Sequence, residues 1–88
     1  ALTKNDGTGV KTAKYTGYYE TLLSIEGIAD IETKDATIVD IHDTDNYSKT
    51  IRSLDNMKSA ADKGYTVELA VYADDGAVLI VVTNVTKP

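Results

Sequence analysis

The last quarter of the chain has the most regular pattern of apolar and polar positions. Residues 65–73 alternate apolar with smaller or polar side chains, and residues 77–85 are apolar almost without interruption. Asp74, Asp75 and Gly76 separate the two runs, and an Asp-Gly pair between β-rich runs is typical of a tight hairpin. The second run is apolar at both parities, so we expect the rest of the chain to cover both of its faces.

An alternating run over residues 14–25 predicts the first strand. Its odd-numbered positions are the drier set, which places Tyr15 and Tyr19 inward and points Tyr18 outward. Gly17 has no side chain to pack, and a glycine inside a strand often marks a bend, a bulge or a close backbone approach.

Two shorter strands are predicted next, over residues 28–33 and 36–42. A turn at Glu26-Gly27 precedes the first of them. The strand over residues 36–42 has Val39 and Ile41 on one face and Ile38 on the other. The polar residues 43–46 then indicate a loop, and residues 50–52 are expected to form a short extended piece.

The period of the apolar pattern changes after this loop. Leu54, Met57 and Ala61 recur at helical spacing, and Ser53 is a favourable N-cap. These features predict a short helix over residues 54–63. A helix of this length is marginal alone, so we expect it to lay Leu54 and Met57 over an open end of the sheet.

The resulting fold class is mainly β with one short α-helix. The element order β-β-β-α-β-β is that of OB-type proteins and predicts a five-stranded small barrel or strongly curved sheet; a more open sheet packed on the helix is the alternative. Residues 1–9 are expected to be a flexible lead-in, and residues 10–88 a single β-rich domain. The start at Ala1, without a signal-peptide pattern, suggests a mature form or a piece of a longer protein.

Composition narrows the classes of function. Apolar residues make up 42% of the 88 positions, which argues against wholesale disorder. No apolar run approaches the ~18 residues of a membrane helix, so no membrane insertion is expected. The formal charge of −5, from 14 acidic and 9 basic side chains, argues against nucleic acid and anionic membranes as partners. The chain has no cysteine, which removes disulfides and thiolate chemistry.

His42 is the only histidine and the one candidate for a general base. Asp40 or Asp43 could raise its pKa, but no nucleophilic serine or threonine can be assigned to it from spacing. We therefore interpret His42 as a solvent-facing strand residue, and we expect neither enzymatic activity nor a cofactor.

The loop that begins at Asp43 resembles the start of a calcium loop. The EF-hand pattern requires glycine at the sixth position and glutamate at the twelfth, where this chain has Ser48 and Leu54. An irregular calcium site that uses Asp43 and Asp45, with Asp40 as a further ligand, remains an alternative to a simple aspartate-rich turn.

Tyrosine is the only aromatic residue besides the histidine, since phenylalanine and tryptophan are absent. Its apolar body and polar tip suit half-buried positions and interfaces. Placement at the core edge is the first interpretation, and a platform for a carbohydrate or peptide is the alternative, with Tyr18 and Tyr47 as its candidate residues. The six tyrosines are Tyr15, Tyr18, Tyr19, Tyr47, Tyr65 and Tyr72.

Several segments together resemble the small β-rich modules of S-layer and related surface proteins of Gram-positive bacteria. They are residues 18–27 (YYETLLSIEG), 36–40 (ATIVD), 53–57 (SLDNM), 64–67 (GYTV) and 75–78 (DGAV). The resemblance implies a stalk or spacer role and an extracellular or cell-wall location. It carries no catalytic signature, and so no functional residue is transferred from it.

The leading hypothesis is a non-enzymatic structural or interaction module of a larger bacterial cell-surface protein. Its partners would be neighbouring modules of the same chain or other surface proteins. The main alternative is a ligand-binding barrel that uses exposed tyrosines, and a third is a calcium-stabilised module.

Overall fold

The terminal hairpin is the centre of the fold, as its pattern predicts. A computed structural model describes residues 12–74 and 77–88 of the chain. The predicted lead-in over residues 1–9 and the tip of the predicted hairpin turn, residues 75–76, lie outside the described residues. The elements are β1 (Ala13–Tyr19), β2 (Leu22–Ile25), β3 (Ile28–Glu32), β4 (Thr37–Asp40), α1 (Leu54–Asp62), β5 (Thr66–Asp74) and β6 (Ala77–Thr86).

The strands form one mixed sheet in the order β3-β2-β1-β5-β6-β4. All neighbouring pairs are antiparallel except β4 and β6, which run parallel with Val39 beside Val81. The mainly β class with one short helix is therefore confirmed.

The barrel and its OB-like order are not confirmed. The described residues contain six strands, and β3 and β4 are the two edges of a sheet that does not close. The count differs because residues 14–25, predicted as one strand, form the hairpin of β1 and β2. Glu20, at the turn of this hairpin, has a φ of 56°, a conformation that a periodic pattern does not reveal.

A bulge in β1 overturns the predicted orientation of two tyrosines. Tyr15 pairs with Ile25 but Gly17 pairs with Ser24, so β1 carries one extra residue at this point. Gly17 has a φ of 153°, which glycine adopts far more readily than other residues. Each extra residue exchanges the two faces of a strand. Tyr19 is consequently 72% exposed, not inward.

The helix follows its predicted position closely. Ser53 is the N-cap, and its side chain accepts a hydrogen bond from the backbone N–H of Asn56 at 3.2 Å. Met57 and Ala60 are fully buried, and Leu54 packs at the edge of the core. The helix contacts β1 and β5, so it covers one face of the sheet.

We call the helix-covered side of the sheet the inner face and the opposite side the outer face. Leu69, Ile80 and Val82 are fully buried on the inner face. Leu79 and Val81, on the outer face of β6, are only half-buried and do not belong to the core cluster. The expectation that both faces of β6 are covered therefore holds for the inner face alone.

Candidate functional site

A cluster of hydrogen-bonded polar groups around His42 lies just after β4. His42 is buried, and its side chain is only 1% exposed. The interpretation of His42 as a solvent-facing residue is therefore wrong. The prediction failed because Asp40 and His42 share the inner face, which is the covered one. Ile41 between them is on the outer face and is 63% exposed.

Both ring nitrogens of His42 face hydrogen-bond acceptors. Nε2 lies 2.6 Å from the backbone carbonyl oxygen of Tyr47, and Nδ1 is paired with a carboxylate oxygen of Asp40. A carbonyl oxygen accepts and never donates, and an ionised carboxylate does the same. Both hydrogen bonds can form at once only when both ring nitrogens carry protons, so the geometry fits a buried imidazolium cation beside a carboxylate.

Asp40 binds the loop as well as the imidazole. Its Oδ2 accepts a hydrogen bond from the backbone N–H of Ile51 at 2.6 Å, and its Oδ1 accepts one from the backbone N–H of His42 at 2.9 Å. One carboxylate thus joins the end of β4 to both ends of the loop over residues 42–51. We call Asp40, His42, Tyr47 and Ile51 the His42 cluster.

The pKa shifts of the pair agree with this ionic state. Burial acts to lower the pKa of His42, but the hydrogen bond to Asp40, the bond to the Tyr47 carbonyl and the charges of Asp40 and Asp43 outweigh it and raise the pKa. Burial acts to raise the pKa of Asp40, but its hydrogen bonds from Ile51 and His42 hold the pKa below its ordinary value. The buried ions stabilise each other.

Aromatic rings close the cluster on one side. The ring of Tyr47 lies 5.9 Å from that of His42 and 4.8 Å from that of Tyr65, centroid to centroid. The Nζ of Lys63 lies 6.0 Å from the centroid of Tyr47, at the outer limit of a cation–π contact. Tyr47 and Ile51 belong to the buried core, so the loop contributes apolar packing as well as hydrogen bonds.

Two of the three carboxylates predicted as calcium ligands, those of Asp43 and Asp40, accept hydrogen bonds from within the chain. Asp43 Oδ1 accepts a hydrogen bond from the backbone N–H of Asp45 at 2.9 Å, as in an aspartate turn, and Asp40 faces the His42 cluster. No group of three or more histidine, cysteine, aspartate or glutamate side chains within residues 12–74 and 77–88 is arranged to hold a metal ion. The structure does not bring Asp40, Asp43 and Asp45 together as a metal site.

The two tyrosines predicted to bind a ligand do not lie together on the outer face. Tyr18 is half-buried on the inner face opposite Leu23, because the bulge at Gly17 turns it there. Its hydroxyl donates a hydrogen bond to Asp55 of α1, which raises the pKa of Tyr18. Tyr47 is buried within the His42 cluster. Neither ring is an outward platform.

One sequence signal could have located the His42 cluster. Asp40 and His42 are two residues apart on the strand predicted over residues 36–42 and so share a face. A carboxylate and an imidazole on the same face can form an ion pair, and this pattern is visible in the sequence. Ile51 could not be found in this way, since the closing contact depends on the path of an irregular loop.

The His42 cluster is built to hold structure. Every buried side-chain nitrogen or oxygen atom of the described residues has a hydrogen-bond partner, and both nitrogens of His42 are already engaged. An imidazole in this state has no free lone pair with which to accept a proton from a substrate.

Among the described residues, no helix combines the length and the apolar character that crossing a membrane requires.

Comparison with known proteins leaves the family of this chain open. No protein-family model, curated protein sequence or solved structure matches this chain.

Proposed function

We propose that this chain is a non-enzymatic structural or interaction module of a larger bacterial cell-surface protein. The observation that supports a structural role most directly is the state of His42. The only histidine of the chain is buried with both nitrogens bound to Asp40 and to the Tyr47 carbonyl. The residue best suited to proton transfer is thus used to fasten a loop to the sheet.

The surface that favours an interaction role lies on the outer face at edge strand β4. Val39 is 40% exposed and Ile41 is 63% exposed there, and the half-buried Leu79 and Val81 continue the surface on β6. We call these four residues the outer patch. It joins an apolar surface to a strand edge whose backbone can pair with another strand.

The occupant of the outer patch, in this proposal, is the adjacent module of the same parent chain, which adds an extended segment alongside β4. Main-chain hydrogen bonds would hold that segment, and its apolar side chains would cover Val39 and Ile41. The extracellular or cell-wall location belongs to the same proposal and rests on the resemblance to S-layer modules.

A two-module protein tests the proposal. It comprises this domain and its neighbour in the parent chain, and NMR spectra locate the contact by comparison with the isolated domain. We expect the amides of β4 to shift and Ile41→Ser to weaken the docking. Ile28→Ser is the matched control, because Ile28 is 56% exposed on β3 at the other edge of the sheet.

Two results would overturn the proposal. One is a parent chain that is a cytosolic enzyme. The other is a β4 edge whose amides do not shift in the two-module protein. The ligand-binding alternative has its own readout, since titration with a panel of glycans and peptides would then shift amides beside Tyr18 or Tyr47.

A further inference from the structure

The ionic pair of Asp40 and His42 binds the loop between β4 and α1 at two points. The backbone N–H of Ile51 binds Asp40, and the backbone carbonyl of Tyr47 binds His42. Both loop residues are buried in the core. Tyr47 and Ile51 lie outside the strands and the helix, and Asp40 and His42 supply hydrogen bonds that hold the backbone of both residues in the core.

We propose that Asp40 and His42 form a pH-sensitive latch, which holds the loop over residues 42–51 against the sheet while the imidazole is protonated and releases it when the proton leaves. The reason is geometric. A neutral imidazole has one ring nitrogen without a proton. In this site that lone pair would face either the Asp40 carboxylate or the Tyr47 carbonyl, and two acceptors repel each other.

The surroundings of His42 favour the charged state. Asp40 faces it from β4, and the negative charge of Asp43 acts on it from the loop. Tyr47 stacks at an angle beside the ring, with Tyr65 behind it. Lys63, at the end of α1, places its Nζ over the ring of Tyr47, 6.0 Å from the ring centroid. Carboxylates are thus the charges that act directly on the imidazole.

The sign of the pH dependence follows from the two pKa shifts. The pKa of His42 is raised, so its contribution to stability is complete below about 6.5, the ordinary value for histidine, and is lost as the pH rises through the folded-state pKa. The pKa of Asp40 is lowered, so its contribution is complete above about 3.9 and is lost only in stronger acid. The latch is therefore strongest in mild acid.

The first test needs no variant, because the chain has a single histidine. NMR of the imidazole carbons and nitrogens is recorded on the wild-type domain from pH 5 to pH 9. We expect both nitrogens to remain protonated at about pH 6.5, where an unperturbed histidine is half titrated. A midpoint below that value, or a ring that is neutral throughout, overturns the latch.

Amide hydrogen exchange then tests whether the loop responds. After correction for the intrinsic rate, the protection of the Ile51 amide should fall between pH 6 and pH 9, while that of Leu69 in β5 changes less. The uncharged His42→Gln should remove this difference between the two amides. Asp45→Asn is the matched control and should keep it, because Asp45 is exposed on the same loop, whereas the carboxylates whose charges act on the ring are Asp40 and Asp43.

Equal loss of protection at Ile51 and Leu69 overturns the latch, because it would show general destabilisation of an acidic chain. Should His42→Gln fail to fold, the wild-type exchange and the imidazole titration decide between the same outcomes.

Discussion

The two faces of the central sheet use apolar residues in opposite ways. On the inner face, Ile80 and Val82 are fully buried, and the polar His42 is buried with them. On the outer face, Ile41 is exposed and Val81 is half-buried. Burial therefore follows the positions of α1 and the loop that cover the inner face, and hydropathy alone does not decide it.

The adjacent residues Ile41 and His42 show this most clearly. The apolar side chain of Ile41 points to solvent, and the polar side chain of His42 points to the core. Burial of His42 is tolerated because Asp40 and the Tyr47 carbonyl satisfy both ring nitrogens. An exposed isoleucine costs the isolated domain little and makes a contact surface available.

The largest expected effect separates the two faces of β6. Ile80→Ala removes a fully buried side chain and should lower the free energy of unfolding by about 2–5 kcal/mol. Val81→Ala, one residue further on the half-buried face, should lower it by about 1 kcal/mol or less. Urea denaturation measures both, and equal losses would contradict the difference between the faces.

The next effect tests the polar part of the inner face. Asp40→Asn should lower the free energy of unfolding by about 1–3 kcal/mol, because an amide cannot accept all the hydrogen bonds that the carboxylate accepts. Asp43→Asn is the control and should change stability by less. Thermal denaturation of both variants near pH 6, where the latch is complete, gives the comparison. A smaller loss of stability for Asp40→Asn than for Asp43→Asn would refute the role of Asp40 as the carboxylate that holds His42 and Ile51.

A smaller effect tests the cover of the inner face. Ser53→Ala removes the N-cap bond to the Asn56 amide and should lower the free energy of unfolding by about 1 kcal/mol. Exchange of Ser53 for Asp, which also caps helices, should largely restore it. Circular dichroism during urea denaturation gives the measurement, and an unchanged midpoint for Ser53→Ala would show that the cap contributes nothing.

The smallest effect is expected on the outer face. Ile41→Ser should change the stability of the isolated domain by no more than about 0.5 kcal/mol, as is usual for an exposed position. A loss as large as that of Ile80→Ala, measured in the same urea series, would mean that the outer face is covered in solution.

Periodicity predicted those parts of the fold that depend on local sequence. The terminal hairpin, the helix with Ser53 as its cap and the turn at Gly27, whose φ is 89°, all follow from residue type and spacing. The bulge at Gly17 could be suspected from the glycine, but its effect on Tyr18 could not, because a single added residue reverses the parity after it.

The candidate site was less predictable for a different reason. The sequence shows that Asp40 and His42 share a face, but which face is covered depends on where α1 and the loop pack. The contact from Ile51 to Asp40 joins residues on either side of an irregular loop, and no repeat in the sequence records it. The sequence likewise did not determine that the sheet is open, since the element order is compatible with both an open and a closed sheet.

The parallel pairing of β4 with β6 has a consequence for the order of folding. Only two residues of the chain separate β5 from β6, whereas β4 reaches β6 only after the chain has passed through the loop, α1 and β5. Distant closure loses more chain entropy before any contact compensates for it. We therefore expect the transition state to contain the hairpin without β4, and the edge strand, together with His42 just after it, to join late and to detach first.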